Sequence, residues 1–157
     1  MLEILSEKGP VEKACKGGVT LVQLREKNRT GREYLELAKA VKNVTDRYSV
    51  PLIIDDRADI ALACGASGVH VGADDMPVAE VRKIVGKDMI VGATAKTVET
   101  ALKAEADGAD YLGTGAIFPT TTKVKTVLTD VSVLKEICHT VKTRFSLLPV
   151  LFQKGIK

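Results

Sequence analysis

Short apolar runs alternate with longer amphipathic stretches along most of this chain. The apolar runs are rich in Val, Ile and Leu with little polar alternation, which is typical of strands buried on both faces. We predict six strands: Val19–Leu24, Pro51–Asp55, Gly68–Val71, Met89–Gly92, Asp110–Gly113 and Leu147–Phe152. Helical patterns lie between them, at Arg32–Tyr48, Arg57–Cys64, Pro77–Val85, Val98–Asp107 and Val131–Thr143. This alternation predicts βαβ units and a parallel sheet.

A repeated joint between helix and strand narrows the fold class. Residues 13–22 read KACKGGVTLV, residues 61–72 read ALACGASGVHVG and residues 104–115 read AEADGADYLGTG. In each, a helical pattern ends at a glycine (Gly17, Gly65, Gly108), and an apolar strand follows. Glycine is common in such loops anyway, but three similar joints favour a TIM-type (β/α) barrel over an open doubly wound sheet.

The chain is short for a complete barrel. It has 157 residues, whereas eight βα units occupy about 200 to 250 residues. We expect a single domain over residues 1–157, an incomplete barrel with about six of eight parallel strands. It would be truncated at both ends, lacking the first strand and the last βα portion. Two unpaired strand edges would then need cover, which favours a homo-oligomer.

Composition excludes several classes of protein. The net charge is only +3, and Lys and Arg are scattered among acidic residues, so we expect no nucleic-acid partner. The three cysteines form no CxxC pair, which argues against a disulfide framework. No apolar run approaches the ~20 residues of a membrane span, and no signal peptide is evident. We therefore expect no membrane partner and a cytoplasmic location.

In parallel barrels the active site lies at the carboxyl ends of the strands, so the residues there are the candidates. After the first predicted strand, alternation places Gln23, Arg25 and Lys27 on one face. Arg and Lys at a strand end suit a phosphate chain. A solvated charged loop is the alternative interpretation.

Two acidic pairs follow the next two strands, Asp55-Asp56 and Asp74-Asp75. Carboxylates one βα unit apart could converge on one cation, and oxygen ligands suit Mg²⁺ rather than Zn²⁺. Helix N-capping by Asp is the alternative. His70 lies within an apolar strand and is interpreted as a core residue.

A loop rich in glycine and threonine follows the fifth predicted strand. Residues 113–123 read GTGAIFPTTTK. Its hydroxyls and its amine are anion-binding donors, although such loops are often merely flexible.

Taken together, these segments resemble thiamine phosphate synthase. The matching stretches are GGVTLVQLREK at residues 17–27, PLIIDD at 51–56, GVHVGADDM at 68–76 and GADYLGTGAIFPTTTK at 108–123. The resemblance implies a (β/α) barrel transferase that is dependent on Mg²⁺. It would join hydroxymethylpyrimidine diphosphate to hydroxyethylthiazole phosphate, giving thiamine phosphate and diphosphate.

The resemblance also implies roles for individual residues. Asp56 and Asp75 correspond to the metal ligands. The pyrimidine diphosphate site corresponds to Gln23, Arg25, Lys27, Asp55, Thr94 and Lys123, and the thiazole phosphate site to Thr120, Thr121, Thr122 and Gly155. Arg25, Lys27 and Lys123 are the predicted catalytic residues, because they would stabilise charge on the departing diphosphate.

The chain departs from the family pattern at several positions. Asp55 stands where Asn is common, Thr94 where a Ser is found, and Ala73 where Gln is common. Lys154 replaces the first glycine of a Gly-Gly turn. The residues that correspond to the diphosphate and metal sites therefore match the family pattern better than those that correspond to the thiazole phosphate site.

Two other functions compete with this interpretation. A thiazole tautomerase shares the fold but uses a His after the fourth strand, where this chain has Lys96. A degenerate paralogue or fragment would bind a phosphorylated ligand without turnover.

Overall fold

The computed structural model describes residues 9–115 and 129–146, with side chains up to residue 143. Six helices and six strands alternate within these ranges. The helices are α1 Gly9–Lys16, α2 Gly31–Arg47, α3 Ala58–Cys64, α4 Val78–Val85, α5 Val98–Ala106 and α6 Val131–Thr140. The strands are β1 Val22–Leu24, β2 Leu52–Asp55, β3 Gly68–Val71, β4 Ile90–Thr94, β5 Tyr111–Gly113 and β6 Arg144–Ser146.

The described residues fall into two compact units. One comprises the residues up to His70 together with Val85–Ile90, and the other comprises Val71–Ile84 together with the residues from Val91 onward. The expectation of a single domain over residues 1–157 stays a prediction.

In the first unit, β1, β2 and β3 pair side by side in parallel. The register joins Gln23 to Ile53, Ile53 to Gly68 and Asp55 to His70. Every residue of β2 and β3 is buried, as the continuous apolar runs predicted. Because residues two apart on a strand share a face, the side chains of Gln23 and Asp55 lie on the same face of this sheet.

Helix α2 packs on this sheet through an apolar stripe. Its start is fixed by a capping box, in which the Thr30 side chain accepts from the Glu33 N–H and the Glu33 carboxylate accepts from the Thr30 N–H. Buried residues recur at helical spacing, at Tyr34, Ala38, Val41, Val44 and Thr45. The helix runs from Gly31 to Arg47, one residue earlier at each end than the predicted Arg32–Tyr48, and its apolar stripe is buried.

In the second unit, β4, β5 and β6 are also parallel neighbours. The register joins Gly92 to Tyr111 and Leu112 to Phe145. A Cβ atom on Gly92 would lie only 2.1 Å from the Tyr111 ring. Glycine at this position therefore gives the tyrosine ring its place over the neighbouring strand.

The three predicted glycine joints are present with one shift in position. Gly65 ends α3 in the left-handed conformation, with a φ of 68°, and Gly108 has a φ of 95°. After α1, however, the left-handed residue is Gly18 (φ 86°) rather than Gly17. The sequence offers two adjacent glycines, and although α1 ends at Lys16, just before Gly17, the left-handed conformation falls on the second glycine.

Some predicted boundaries near the end of the chain are wrong. Helix α6 ends at Thr140 rather than Thr143, because Val141 is extended, with a ψ of 152°. The next two N–H groups then donate to the Glu105 carboxylate rather than to the helix. Strand β6 precedes the predicted strand Leu147–Phe152, which lies outside the described residues.

No helix in the described ranges is both long and apolar enough to cross a membrane. The three cysteines are free thiols, with Cys15 buried, Cys64 half-buried and Cys138 exposed.

The hydrogen bonds of Glu105 predict that the stability of the folded chain depends on pH. Its Oε1 accepts from the Thr143 hydroxyl and from the N–H groups of Lys142 and Thr143, each at 2.7 Å. These donors, led by the Thr143 hydroxyl, hold the pKa of Glu105 below its usual value. The carboxylate form is therefore favoured in the folded state. The contribution of this carboxylate to the free energy of unfolding is complete above the ordinary Glu pKa of about 4.3. It is lost as the pH falls through the lowered pKa of the folded state.

We expect Glu105→Gln to speed amide hydrogen exchange at Thr143 at pH 7, since a neutral amide oxygen is a weaker acceptor than a carboxylate. The difference from the unsubstituted chain should shrink below about pH 4. Glu99→Gln, an exposed position on the same helix, serves as the control and should change nothing at either pH. Equal exchange in Glu105→Gln and the unsubstituted chain at pH 7 would contradict the assignment.

Candidate active site

The predicted site residues of the first unit meet where β1 and β2 end. The Gln23 side-chain amide donates to Oδ1 of Asp55. Nε of Arg25 lies 3.6 Å from Oδ2 of Asp55 and 3.8 Å from Oδ2 of Asp56, and Nζ of Lys27 lies 3.9 Å from that same Asp56 oxygen. The structure thus brings together five of the residues that the sequence singled out.

The four charged groups of this mixed-charge cluster (Arg25, Lys27, Asp55 and Asp56) balance one another. Asp55 is only 6% exposed as a residue, and a buried carboxylate requires partners of opposite charge or hydrogen-bond donors. The distances of 3.6 to 3.9 Å exceed hydrogen-bond length. They are ion pairs without fixed donor geometry, so the two cations remain able to turn toward an anion.

Asp56 has an uncommon backbone conformation. Its φ is 65°, in the left-handed region that costs most residues about 1–2 kcal/mol. Its N–H donates to the carbonyl of His70 at 2.8 Å, and the N–H of Arg57 donates to the carbonyl of Asp55 at the same distance. The strand end is thus held in a tight bend that turns the Asp56 carboxylate toward Arg25 and Lys27. Such strain often accompanies functional sites.

Gln23 carries a buried acceptor that no described residue satisfies. Its Nε2 is committed to Asp55, and its Oε1 has no hydrogen-bond partner among the residues that the structure describes. Leaving an amide oxygen buried and unpaired costs about 1–3 kcal/mol. A ligand that presents an N–H or O–H group here would recover that cost.

Sequence reasoning missed one residue of this site, Tyr34 on α2. Its hydroxyl donates to the Leu24 carbonyl at 2.9 Å and lies 3.3 Å from the Asp55 carbonyl. Burial above all, with the carboxylates of Asp55 and Asp56 nearby, raises the pKa of Tyr34 well above its usual value. A polar aromatic residue on the apolar stripe of a helix was the available signal, because a buried tyrosine hydroxyl needs a partner.

In the second unit, Asp75 closes a turn after β3. Its Oδ2 accepts from the N–H of Gly72 at 2.8 Å. A Cβ atom on Gly72 would lie 2.8 Å from that oxygen, so glycine permits the close approach. Asp75 is not an N-cap of α4, since Val81 N–H donates to the carbonyl of Pro77 at the first helical turn. Its bond to Gly72 is made by Oδ2 alone, and within the described ranges Oδ1 makes no hydrogen bond.

The other predicted residues of this unit are placed as follows. Thr94 ends β4 and is half-buried, and Lys96 is exposed in the loop beyond it. Thr120, Thr121, Thr122, Lys123 and Gly155 lie outside the described residues. Within the described ranges no group of three or more His, Cys, Asp or Glu side chains is placed to hold a metal ion.

Comparison with known proteins gives a consistent family. A family model described as thiamine monophosphate synthase matches residues 6–157. Thiamine-phosphate synthase 2 of Streptococcus pneumoniae serotype 4 is 61% identical over 131 residues, covering 83% of this chain and 62% of that protein. Thiamine-phosphate synthase of Enterococcus faecalis is 56% identical over 147 residues, covering 94% of this chain and 67% of that protein.

Solved structures agree on the fold. Thiamine phosphate pyrophosphorylase from Pyrococcus furiosus has a TM-score of 0.77 and 38% identity, covering 86% of this chain and 64% of that one. This likeness confirms the predicted (β/α) barrel-type fold, although closure of the strands is not seen in the described ranges. The citrate synthase SbnG, at 15% identity and a TM-score of 0.60, shares the fold alone. The chain thus spans less than two thirds of the S. pneumoniae and P. furiosus proteins.

The left-handed backbone conformation of Asp56 predicts how substitutions there change the free energy of unfolding. Asp56→Gly and Asp56→Ala both remove the carboxylate, but only glycine adopts a φ of 65° without cost. We expect the free energy of unfolding of the glycine variant to exceed that of the alanine variant by about 1 kcal/mol, measured by urea denaturation.

The same pair of substitutions at Asp59, in the first turn of α3, should show the opposite order, since alanine is the better helix former. An alanine variant at position 56 as stable as the glycine variant would show that no strain is stored there.

Proposed function

The chain belongs to the thiamine monophosphate synthase family, and from this premise we propose that it is a Mg²⁺-dependent transferase. It would couple hydroxymethylpyrimidine diphosphate to hydroxyethylthiazole phosphate and release diphosphate. The family model and relatives named thiamine-phosphate synthase support this proposal. The observation that carries it is the mixed-charge cluster at the ends of β1 and β2.

A site with two carboxylates and two cations suits a ligand that itself carries both signs. A diphosphate with its counter-cation is such a ligand. Arg25 and Lys27 would turn to the phosphate oxygens, Arg25 with its planar fork and Lys27 as a point charge. Since Lys27 has a side chain that is 56% exposed and Arg25 one that is only 19% exposed, Arg25 has the more desolvated and hence stronger contact.

The neighbouring polar groups fit an aminopyrimidine. Gln23 Oε1 is a buried acceptor without a partner in the described part of the chain, and the Asp55 carboxylate only accepts hydrogen bonds when ionised. An exocyclic amine supplies N–H donors, one of which would suit the Gln23 oxygen and another the Asp55 carboxylate. The resemblance adds Thr94 to this subsite.

Asp56 and Asp75 are the proposed metal ligands. Their carboxylate oxygens are the donors that Mg²⁺ prefers, and one Asp75 oxygen makes no hydrogen bond to any residue that the structure describes, so the residues present fit the ion. When bound, Mg²⁺ would neutralise charge on the phosphate oxygens. That both residues bind one ion stays a prediction.

The reaction breaks the bond between the pyrimidine methylene carbon and the diphosphate oxygen, and forms a bond from that carbon to the thiazole nitrogen. Negative charge grows on the departing oxygen, where Arg25, Lys27 and Lys123 would stabilise it. The thiazole phosphate would be held by Thr120, Thr121, Thr122 and Gly155. Because the nitrogen is the nucleophile, the chain's work is positioning, and no protein nucleophile is needed.

We also propose the kind of partner that this chain binds, its location and its oligomeric state. Its partners would be small phosphorylated substrates rather than nucleic acid or a membrane. We also propose a cytoplasmic location and self-association as a homo-oligomer. The competing function is binding of a phosphorylated ligand without turnover.

A coupling assay tests the proposal directly. The full chain is incubated with both phosphorylated substrates and MgCl₂, and thiamine phosphate is measured by chromatography. Asp56→Asn and Asp75→Asn should each lower kcat/KM by about 100-fold or more, the order seen when a charge-stabilising group is lost. Asp88→Asn, at an exposed position between α4 and β4, is the control. No product at any chain concentration would contradict transferase activity.

Ligand binding separates the competing functions. We expect calorimetry to show binding of pyrophosphate in the presence of MgCl₂. Arg25→Met should weaken it by about 10- to 100-fold, the loss of a charge-assisted hydrogen bond, and Lys27→Met by less. Lys13→Met, on the exposed face of α1, should leave it unchanged. Binding without product would favour the non-catalytic alternative, and no binding at all would contradict both.

A further inference from the structure

One hydroxyl on α2 joins the carboxyl ends of two neighbouring strands. Tyr34 is 1% exposed, and its Oη lies 2.9 Å from the carbonyl oxygen of Leu24 and 3.3 Å from that of Asp55. Leu24 is the last residue of β1 and Asp55 the last of β2. A hydroxyl has one hydrogen, so it is shared between the two carbonyls, with the shorter bond to Leu24.

These two carbonyls belong to the peptide groups that lead into the mixed-charge cluster. The Leu24 carbonyl is part of the peptide that contains the N–H of Arg25, and the Asp55 carbonyl is part of the peptide that contains the N–H of Asp56. Because a peptide group is planar, fixing its carbonyl fixes the direction in which the next residue leaves it. Tyr34 therefore acts on the backbone that orients Arg25 and Asp56.

The second peptide is held from both sides. Its carbonyl faces Tyr34, and its N–H, that of Asp56, donates to the His70 carbonyl at 2.8 Å. This is the peptide that enters the left-handed residue, with a φ of 65°. A residue in that conformation persists only when its surroundings over-determine it.

Two features keep the hydroxyl in this role. Burial, aided by the nearby carboxylates, raises the pKa of Tyr34, so the group remains a neutral donor. The α2 backbone that carries it is anchored by the capping box at Thr30, and its Tyr34 N–H donates to the Thr30 carbonyl at 2.9 Å. The donor is thus mounted on a rigid element rather than on a loop.

We propose that Tyr34 is a positioning residue for anion and cation binding at this site, acting through the backbone at Leu24 and Asp55. Its hydroxyl bonds two backbone carbonyls, so its role is to position other groups. The proposal rests on the proposed function only for the identity of the ligand, since the orientation of Arg25 is a property of the chain alone.

The test compares Tyr34→Phe with Tyr48→Phe. Tyr48 is a matched control because its hydroxyl, just beyond the other end of α2, donates to Glu12 at 2.9 Å and not to the site. Two quantities are measured: the affinity for pyrophosphate with MgCl₂ by calorimetry, and the ¹⁵N and ¹H shifts of the Arg25 Nε–H group in the ligand-free chain, assigned with Arg25→Lys.

We expect Tyr34→Phe to weaken pyrophosphate binding by about tenfold, as misplacement of binding groups by a fraction of an ångström does. It should also shift the Arg25 Nε–H signal, while Tyr48→Phe changes neither. An effect on folding alone would lower the melting temperature without moving the affinity of the folded chain. Affinity within twofold of the unsubstituted chain together with an unmoved Arg25 signal overturns the proposal.

A further pair of variants keeps the test decisive if Tyr34→Phe does not fold. Replacing Tyr34 with 4-aminophenylalanine retains a donor, and replacing it with 4-fluorophenylalanine fills the same space without one. The proposal expects the amino variant to restore affinity and the Arg25 signal and the fluoro variant to lose both, and equal behaviour of the pair overturns it. If the unsubstituted chain binds no pyrophosphate, the proposed function fails, and the Arg25 signal alone still decides the role of Tyr34.

Discussion

Charge balance at the end of β2 is the constraint on which the candidate site depends. Asp55 is a carboxylate on a strand that is buried along its whole length, and such a group is tolerated only with donors and opposite charge beside it. Gln23 supplies the donor and Arg25 the charge. Arg25 and Lys27 in turn lie near Asp56. The composition of the site thus follows from the need to neutralise one buried acid.

The fold meets this need through strand register. Parallel pairing places Gln23 beside Ile53, so that the alternate residues Arg25 and Asp55 follow on the same face at the same edge. Gln23 and Asp55, 32 positions apart in sequence, become neighbours on the paired strands, and Arg25, Lys27 and Asp56 follow in the first residues of the loops beyond them. The Tyr34 hydroxyl of helix α2 then hydrogen-bonds to the carbonyl groups at the ends of both strands. The helix is therefore part of the site's support as well as of the core.

A neutral cluster of mixed sign differs in its chemistry from a purely basic anion site. A basic pocket repels metal ions, and an acidic one repels phosphates. In this cluster the ion pairs are looser than hydrogen bonds, so each sign is available to the opposite sign of an incoming ligand. In the proposed function, the exchange of internal ion pairs for ligand ion pairs would limit the net gain in affinity but would favour a metal diphosphate over either ion alone.

The sequence by itself determined the alternation of strands and helices, the parallel sheet and the identity of the charged residues at the strand ends. These features follow from local periodicity and from the composition of short motifs. A motif such as QLREK identifies the charged residues at a strand end directly. The local sequence pattern did not predict the end of α6. The carboxylate of Glu105, on another helix, accepts hydrogen bonds from the N–H groups that would have continued α6.

Only the tertiary structure decided which atoms of these residues meet. Tyr34 reads in sequence as one more apolar position of α2, and only packing shows that its hydroxyl reaches two strand ends. The left-handed Asp56 and the unpaired oxygen of Gln23 are likewise invisible in the sequence. Local patterns encode backbone propensity and burial, whereas contacts between distant segments depend on a register and on distances that exist only once the chain has folded.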